Sequence, residues 1–428
     1  TFLQAEEDVG QHTSVAIALG QGLISYYDAT DHYLKSAFCQ DLACTEPTLT
    51  TTPDKNGDVG QYSAVTIGND QRPIISYYDA TNGDLKVVHC EEVVCTSATR
   101  TTIESEGNVG QYTSVTIGVD GLPVISYYDV INGDLKVAHC GDIACTSATL
   151  TTPDNTGNVG QHSSLAIGTD GLPLISYYDV TNGDLKVAHC IDVGCTSATV
   201  TPLDGAAIDA GAPSSLILGA DGKGFMSYYD ATNGDLKVVH CADLVCASAS
   251  LTTVQSQDDV GQYSAVTIGT DGLPLISYYD VTNGDLKVAH CADVACPTST
   301  SFGLDQVGDV GRFTSITIGT DGRGLISYYD ATNGDLKVAH CEDLICSSAR
   351  TTTLASQDNI GQFTSITIGA DGLGLISYYD AANQDLKVAH CNDVECRSAT
   401  HRTIDGPSQV GQYNSVTIGP DGFGLISY

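Results

Sequence analysis

From Gly60 to Glu104 four short β-rich runs alternate with turn residues, and no stretch offers ten residues of helical period. Ser63 to Ile67 runs into the tight turn Gly68-Asn69-Asp70. Pro73 to Asp79 follows, and its near-continuous apolar character at Ile74-Ile75 and Tyr77-Tyr78 predicts a strand buried on both faces. Asn82-Gly83 then separates it from Leu85 to Cys90; between two β-rich runs this dipeptide predicts a hairpin with a type I′ turn, whose two central residues both need positive φ. Thr99 to Ile103, rich in β-branched residues, is the fourth strand. The pattern predicts a four-stranded antiparallel meander.

This unit repeats. The Asp that closes Ile-Ser-Tyr-Tyr-Asp recurs at Asp28, Asp79, Asp129, Asp179, Asp230, Asp280, Asp330 and Asp380, in steps of 50 or 51 residues, and a ninth copy ends at Tyr428. Four strands per fifty residues match one blade of a β-propeller, in which each sheet buries both faces against its neighbours. Separate small modules would need linkers, and no Pro/Ser-rich spacer stands between the copies. A solenoid would have shorter turns, of about 20–29 residues. Residues 1–428 therefore read as one all-β domain, a propeller of four-stranded antiparallel blades. The phase favours nine blades with an incomplete closing blade, and eight is the alternative. Both ends fall inside a unit, as in an excerpt of a longer array or a ring whose closing blade is shared between the termini.

The sixteen cysteines form eight pairs of one spacing: Cys39 with Cys44, Cys90 with Cys95, Cys140 with Cys145, Cys190 with Cys195, Cys241 with Cys246, Cys291 with Cys296, Cys341 with Cys346 and Cys391 with Cys396. Five residues of extended strand span about 16 Å, whereas bridged Cα atoms lie roughly 4.4–6.8 Å apart, so a bridge requires the chain to turn back between the two cysteines. That is where the third strand must give way to the fourth. One disulfide per repeat is the expectation, and with it an oxidising compartment. Metal is the rival, because His precedes the first Cys in seven copies (His89, His139, His189, His240, His290, His340 and His390), but adjacent strand residues point to opposite faces. Phe38 takes that place in the first copy.

Composition narrows the partners. With 52 acidic against 17 basic residues and a formal charge of -35, the surface repels nucleic acid and anionic membranes. No run approaches the roughly 18 apolar residues of a membrane span. No secretion signal stands at Thr1, so one is expected either to have been removed or to lie outside these residues.

Repetition argues against catalysis, since a catalytic site needs unlike residues converging at one place. No catalytic residue is assigned. Ser-Tyr-Tyr-Asp has a structural reading: the tyrosines alternate across the sheet and pack between blades, and the Asp caps the following hairpin. Its functional reading is a ring of ligand pockets, with Tyr77, Tyr78 and Asp79, Tyr127, Tyr128 and Asp129, and Tyr278, Tyr279 and Asp280 as contacts. No metal ligand and no cofactor are assigned; Ca²⁺ at Asp79-Ala80-Thr81-Asn82-Gly83-Asp84 is the alternative, oxygen donors being what that ion requires. Asp58-Val59-Gly60-Gln61 reads as a turn leading into a strand. The segment Asp204 to Gly224 departs most, with Ala210-Gly211-Ala212 and Pro213 before the only methionine, Met226; the first copy also departs, at Asp31-His32-Tyr33.

The copy DGLPLISYYDVTNGDLKVAHC, from Asp271 to Cys291, resembles repeats of secreted and surface bacterial proteins regarded as β-propellers. That resemblance implies a fold and an extracellular or cell-surface setting, not an activity. A likeness to sialidase-type propellers is weaker: they carry an aromatic, usually Trp, at the end of their Asp-box, and an arginine cluster. This chain has no Trp, and Arg72, Arg100, Arg312, Arg323, Arg350, Arg397 and Arg402 fall at unrelated phases of the repeat. The expected function is an extracellular structural or adhesive scaffold that assembles into a filament or surface layer, its partners other copies of itself or cell-surface glycans. The alternatives are a multivalent lectin-like propeller and a sialidase-like hydrolase.

Overall fold

The structure, a computed structural model, describes residues 9–18, 21–38, 49–168, 170–203, 210–243, 246, 248–356, 359–405, 414–418 and 424–427. Every described element is a strand. Eight four-stranded antiparallel sheets, each a meander in chain order, are followed by the two-stranded sheet of Ser415–Ile418 and Gly424–Ser427. The second sheet is typical: an inner strand Val59–Ile67, a second Pro73–Asp79, a third Asp84–Cys90 and an outer Ala98–Glu104. Inner strands of successive sheets lie side by side around a hub, and Gly424–Ser427 of the ninth sheet rests against Val9–Ala18 of the first. The sheets are therefore blades of a propeller, nine among the described residues, and the ring closes.

Burial follows position within the blade. Pro73–Asp79 is buried at every residue, as its unbroken apolar run predicts, whereas Ala98–Glu104 at the rim is half exposed. Each core cluster is shared between two blades: Ile74, Leu85 and Val87 of the second pack against Val109, Ile125, Tyr127 and Ala138 of the third. Fully burying side chains of this size contributes roughly 1.5–3 kcal/mol each, so a blade without neighbours would lose most of its core. Between the fourth and fifth blades Leu185 and Val187 meet Tyr228 and the buried Met226; residues 204–209 of the divergent segment lie outside the described part.

The blades approach closely at the hub. Gly60 has a φ of +111, and a Cβ there would lie 2.7 Å from Leu34 Cα of the preceding blade, so only glycine fits. Hydroxyls stitch the inner strands together. Ser14 Oγ accepts the Val65 amide at 3.0 Å, Ser315 Oγ that of Ile366 at 3.2 Å, and Ser365 Oγ that of Val416 at 3.1 Å.

Two expectations change. The inner strand begins at Val59, not Ser63, because the chain pairs with the second strand through a bulge. The hairpin is not a type I′ turn: Asp79 pairs directly with Asp84 across a four-residue loop, and Gly83, at φ 76, is left-handed while Asn82 is not. The cause is Asp79, whose Oδ1 accepts the Thr81 and Asn82 amides at 3.1 and 3.2 Å, a cap that a two-residue turn has no room to form.

Disulfides join the two cysteines of a copy in seven described pairs. Cys90 is bridged to Cys95, Cys140 to Cys145, Cys190 to Cys195, Cys241 to Cys246, Cys291 to Cys296, Cys341 to Cys346 and Cys391 to Cys396, with Cα atoms 4.7–4.8 Å apart. The eighth expected pair, Cys39 and Cys44, lies outside the described residues. The second cysteine takes positive φ, from 50° at Cys195, Cys246 and Cys396 through 54° at Cys296 and 57° at Cys346 to 60° at Cys95, which turns the chain back. The neighbouring histidines are engaged elsewhere: His89 pairs with Asp70 of the first turn at 2.9 Å, and the other six repeat the contact with Asp120, Asp170, Asp221, Asp271, Asp321 and Asp371.

Candidate functional site

Ser-Tyr-Tyr-Asp proves to be a clamp between blades. Ser126 Oγ meets Ser163 Oγ of the next inner strand at 2.8 Å. The first tyrosine reaches backwards: Tyr77 donates to Asp54 of the preceding outer strand at 2.8 Å, and Lys86 donates to the same carboxylate at 2.7 Å while lying 3.5 Å from Asp79. Tyr127 and Lys136 meet Glu104 in the same way, Tyr177 and Lys186 meet Asp154, and Tyr328 and Lys337 meet Asp305. Burial by itself would raise the Asp54 carboxyl, but hydrogen bonds from Lys86 and Tyr77 hold it below its ordinary value. Burial and the Asp54 charge push the Tyr77 hydroxyl far up, so it stays a donor.

The second tyrosine reaches forwards. Tyr78 donates to Asn108 and Tyr128 to Asn158, both at 2.6 Å, and Tyr279 donates to Asp309 at 2.7 Å. Asp79 accepts Asn82 Nδ2 at 3.0 Å besides the two amides, and Asp129 and Asp280 do the same for Asn132 and Asn283. All nine residues proposed as ligand contacts are thus buried: Tyr77, Tyr127, Tyr278 and Asp280 fully, Asp79 and Asp129 at 1%, and Tyr78, Tyr128 and Tyr279 at 4–6% exposure. They offer a ligand no surface. The tyrosines are packed between blades and the aspartates are spent on the hairpin. The oxygens of Asp79 considered for Ca²⁺ are taken by the same loop and by Lys86. Among the described residues no group of three or more His, Cys, Asp or Glu is arranged to hold a metal.

A different set of side chains is open, one residue beyond the segment read as a turn. At the bulge of the inner strand, Val59 pairs with Asp79, Gln61 with Tyr78, and Ala64 with Ser76, so extra residues are accommodated on the hub side. Tyr62 sits in that bulge at φ 54, and its equivalents His12, Tyr112, His162, Tyr263, Phe313 and Phe363 have φ of 53–55. A bulky residue in this region is strained, by on the order of 1–3 kcal/mol, and bulges re-aim side chains beside functional sites. The rings form a belt over the hub. Centroids of His12 and Tyr62 are 4.4 Å apart, Tyr62 and Tyr112 4.7 Å, Tyr112 and His162 4.4 Å, Tyr263 and Phe313 4.7 Å, and Phe313 and Phe363 4.4 Å. Their faces are tilted, not stacked flat, and the rings are half-buried or exposed, Tyr263 by 38%.

Polar groups rim the belt. Gln61 Nε2 donates to Asp58 at 3.3 Å and Gln362 Nε2 to Asn359 at 2.9 Å, while Arg312 grips Asp309 with Nε and Nη2 at 3.0 and 2.6 Å and lies 5.5 Å from the Tyr279 ring. Burial lowers the His162 imidazole, and burial followed by the neighbouring Tyr112 raises the Tyr62 phenol to about 12, so the belt is neutral at ordinary pH. Rings beside amides and carboxylates offer stacking and hydrogen bonding together. The sequence carries the signal at the third position after the residue that opens each inner strand, Val or Ile except for Ala210 in the fifth copy: His, Tyr or Phe stands there in eight copies, Pro213 in the fifth. Tyr413, the ninth, lies outside the described residues.

The chain matches no protein family and no curated protein. Solved structures do resemble it. A dihydro-heme d1 dehydrogenase aligns over 94% of this chain and 75% of its own, with a TM-score of 0.53 and 11% identity. A protein of unknown function from Dyadobacter fermentans aligns over 65% and 93%, at a TM-score of 0.42 and 12% identity, and the hydrazine synthase of Kuenenia stuttgartiensis over 92% and 98%, at 0.43 and 10%. At 11% identity the first likeness supports the propeller fold and nothing about activity, and the lower scores of the other two add no argument.

Proposed function

We propose that the protein is a non-catalytic, extracellular binding propeller that holds a glycan on the aromatic belt of its hub. The observation that carries this reading is the strained, repeated placement of Tyr62 and its equivalents, because packing alone gives no reason to hold seven bulky residues left-handed with their rings partly open to solvent. Flat sugar faces stack on such rings, and the flanking Gln61, Asp58 and Asn359 supply donors and acceptors for hydroxyls. One equivalent site per blade favours a repetitive ligand, for which many weak contacts add by avidity. The disulfides support a setting outside a reducing cytosol.

The test is binding of the whole chain to a panel of polysaccharides, followed by Tyr112→Ala and Phe363→Ala. Each should weaken binding at least tenfold while leaving the fold intact, since alanine keeps the left-handed backbone and removes only the ring. Retained affinity in both variants, or no binding across the panel, would refute the assignment. A structural or adhesive role by self-association keeps one supporting observation: outer strands such as Ala98–Glu104 pair on one side only and present an open edge. Light scattering over a range of salt concentrations decides that reading, with a monomer throughout counting against it.

A further inference from the structure

The clamp between the seventh and eighth blades lacks its carboxylate. At four described interfaces the outer strand delivers Asp54, Glu104, Asp154 or Asp305 to the tyrosine and lysine of the next blade. At the fifth outer strand Gln255 keeps a polar side chain in that register, opposite Leu236. The seventh outer strand, Ala349–Ala355, ends instead in alanine. Its register is unchanged: Ala355 pairs with Leu336 as Glu104 pairs with Leu85 and Asp305 with Leu286. A cavity of about 340 Å³ opens where the carboxylate would sit, lined by Ala355, Ser356, Tyr378, Lys387, His401 and Arg402 among others.

The far wall has changed with it. Register places Arg402 opposite Val388, where the equivalent third-strand residues face Thr101, Thr151, Thr201, Thr252, Phe302 and Thr352, so a cation stands there in this blade alone among those described. His401 joins Tyr378, its Nδ1 taking the buried hydroxyl at 3.0 Å, and burial lowers the ring while its hydrogen bond to the Leu354 carbonyl opposes that shift. Lys387 lies 2.5 Å from Asp380, as Lys86 lies near Asp79, and an ammonium keeps two further donors after that contact. Lys86, Lys186 and Lys337 each lie between two carboxylates. Here Lys387 has one carboxylate, and Arg402 lines the open space beside it.

We propose that this cavity is a binding site for a small carboxylic acid, whose carboxylate takes the place of the missing Asp or Glu and receives hydrogen bonds from Lys387 and Arg402, the Tyr378 hydroxyl being held by His401. Charge-assisted bonds from Arg and Lys to a carboxylate are about twice as strong as neutral ones, and the volume leaves room for a body the size of a monosaccharide or an amino acid. A sugar acid fits both requirements. The site is independent of the aromatic belt and would exist once per ring.

The experiment is calorimetric titration and thermal shift of the full chain with galacturonate, acetate and sulfate, and with galactose as the neutral control. Galacturonate should bind and raise the melting temperature, acetate should bind more weakly, and galactose should do neither. Ala355→Asp restores the internal carboxylate; it should stabilise the free protein and weaken galacturonate at least tenfold. Arg402→Thr, the residue of most other copies, should weaken binding while leaving the fold intact. No galacturonate binding, equal binding to Ala355→Asp, or sulfate binding as tight as galacturonate would each overturn the proposal.

Discussion

Lys86 illustrates how much one side chain carries at an interface. Its ammonium sits between Asp54 and Asp79, both essentially closed to solvent, so removing it leaves Asp79 without its counter-ion and Asp54 with only Arg100, 3.8 Å away, whereas removing Asp54 leaves Lys86 with Asp79. Breaking a buried pair from one side costs about 3–5 kcal/mol. Lys86→Met should therefore destabilise at the upper end of that range and more than Asp54→Asn, as urea denaturation would measure; equal losses would mean that Asp79 does not share the lysine. Asp84 behaves oppositely. Burial first, and then the Asp79 carboxylate facing it, raise its pKa above the ordinary value. A carboxyl with a raised folded pKa favours the fold while protonated, at low pH, and loses that contribution as the pH rises through the folded value. Asp84→Asn should accordingly raise the melting temperature at about pH 7 and have little effect at about pH 3, below the ordinary carboxyl range. A gain of equal size at both values would exclude linkage as the cause.

At the scale of elements, the turn from third to outer strand is closed by the disulfide and by a backbone bond from the Cys145 amide to the Asp142 carbonyl at 3.0 Å. So short a closed loop contributes about 2 kcal/mol by chain entropy. Replacing Cys140 and Cys145 together by Ser should cost about that much in a denaturant titration, with no change of fold. This turn was legible beforehand because two cysteines five apart force a reversal whatever surrounds them. The second and third strands were legible for the same kind of reason, local pattern settling local structure. The type of the hairpin was not legible, because Asn82-Gly83 suits a two-residue turn as well and the expected cap by Asp79 does not by itself set the length of the loop. The tyrosines were expected between blades, but the aromatic belt and the acid of each clamp were not legible, for a different reason. Tyr62 is displayed by a bulge that depends on Gly60 lying against another blade, and the belt position changes between Tyr, His, Phe and Pro, so it does not read as a motif. Asp54 stands 23 residues before the tyrosine it serves, and its equivalents change from Asp to Glu, Gln and Ala.

For the whole molecule, the shared cores make neighbours indispensable and the contact of Gly424–Ser427 with Val9–Ala18 makes the ring cooperative. Deleting Gly110 to Val159 joins Val109 to Gly160 in phase, so every remaining interface still receives a complete set of partners, Glu104 meeting Tyr177 and Lys186. Only the angle between blades must change to close a smaller ring. Calorimetry should show a lower and broader transition. A transition as high and as sharp as that of the full chain would mean that closure contributes nothing.

Because each clamp is split between consecutive copies, with the acid at the end of one and the tyrosine and lysine in the next, an in-frame exchange between any two copies of the gene rejoins matching halves. Blade number can then drift by recombination with no compensating mutation. The seventh interface is the exception. Ala355 and Arg402 belong to different copies, and a crossover between them would return an acid opposite Arg402 or a threonine opposite Ala355, erasing the cavity in one event.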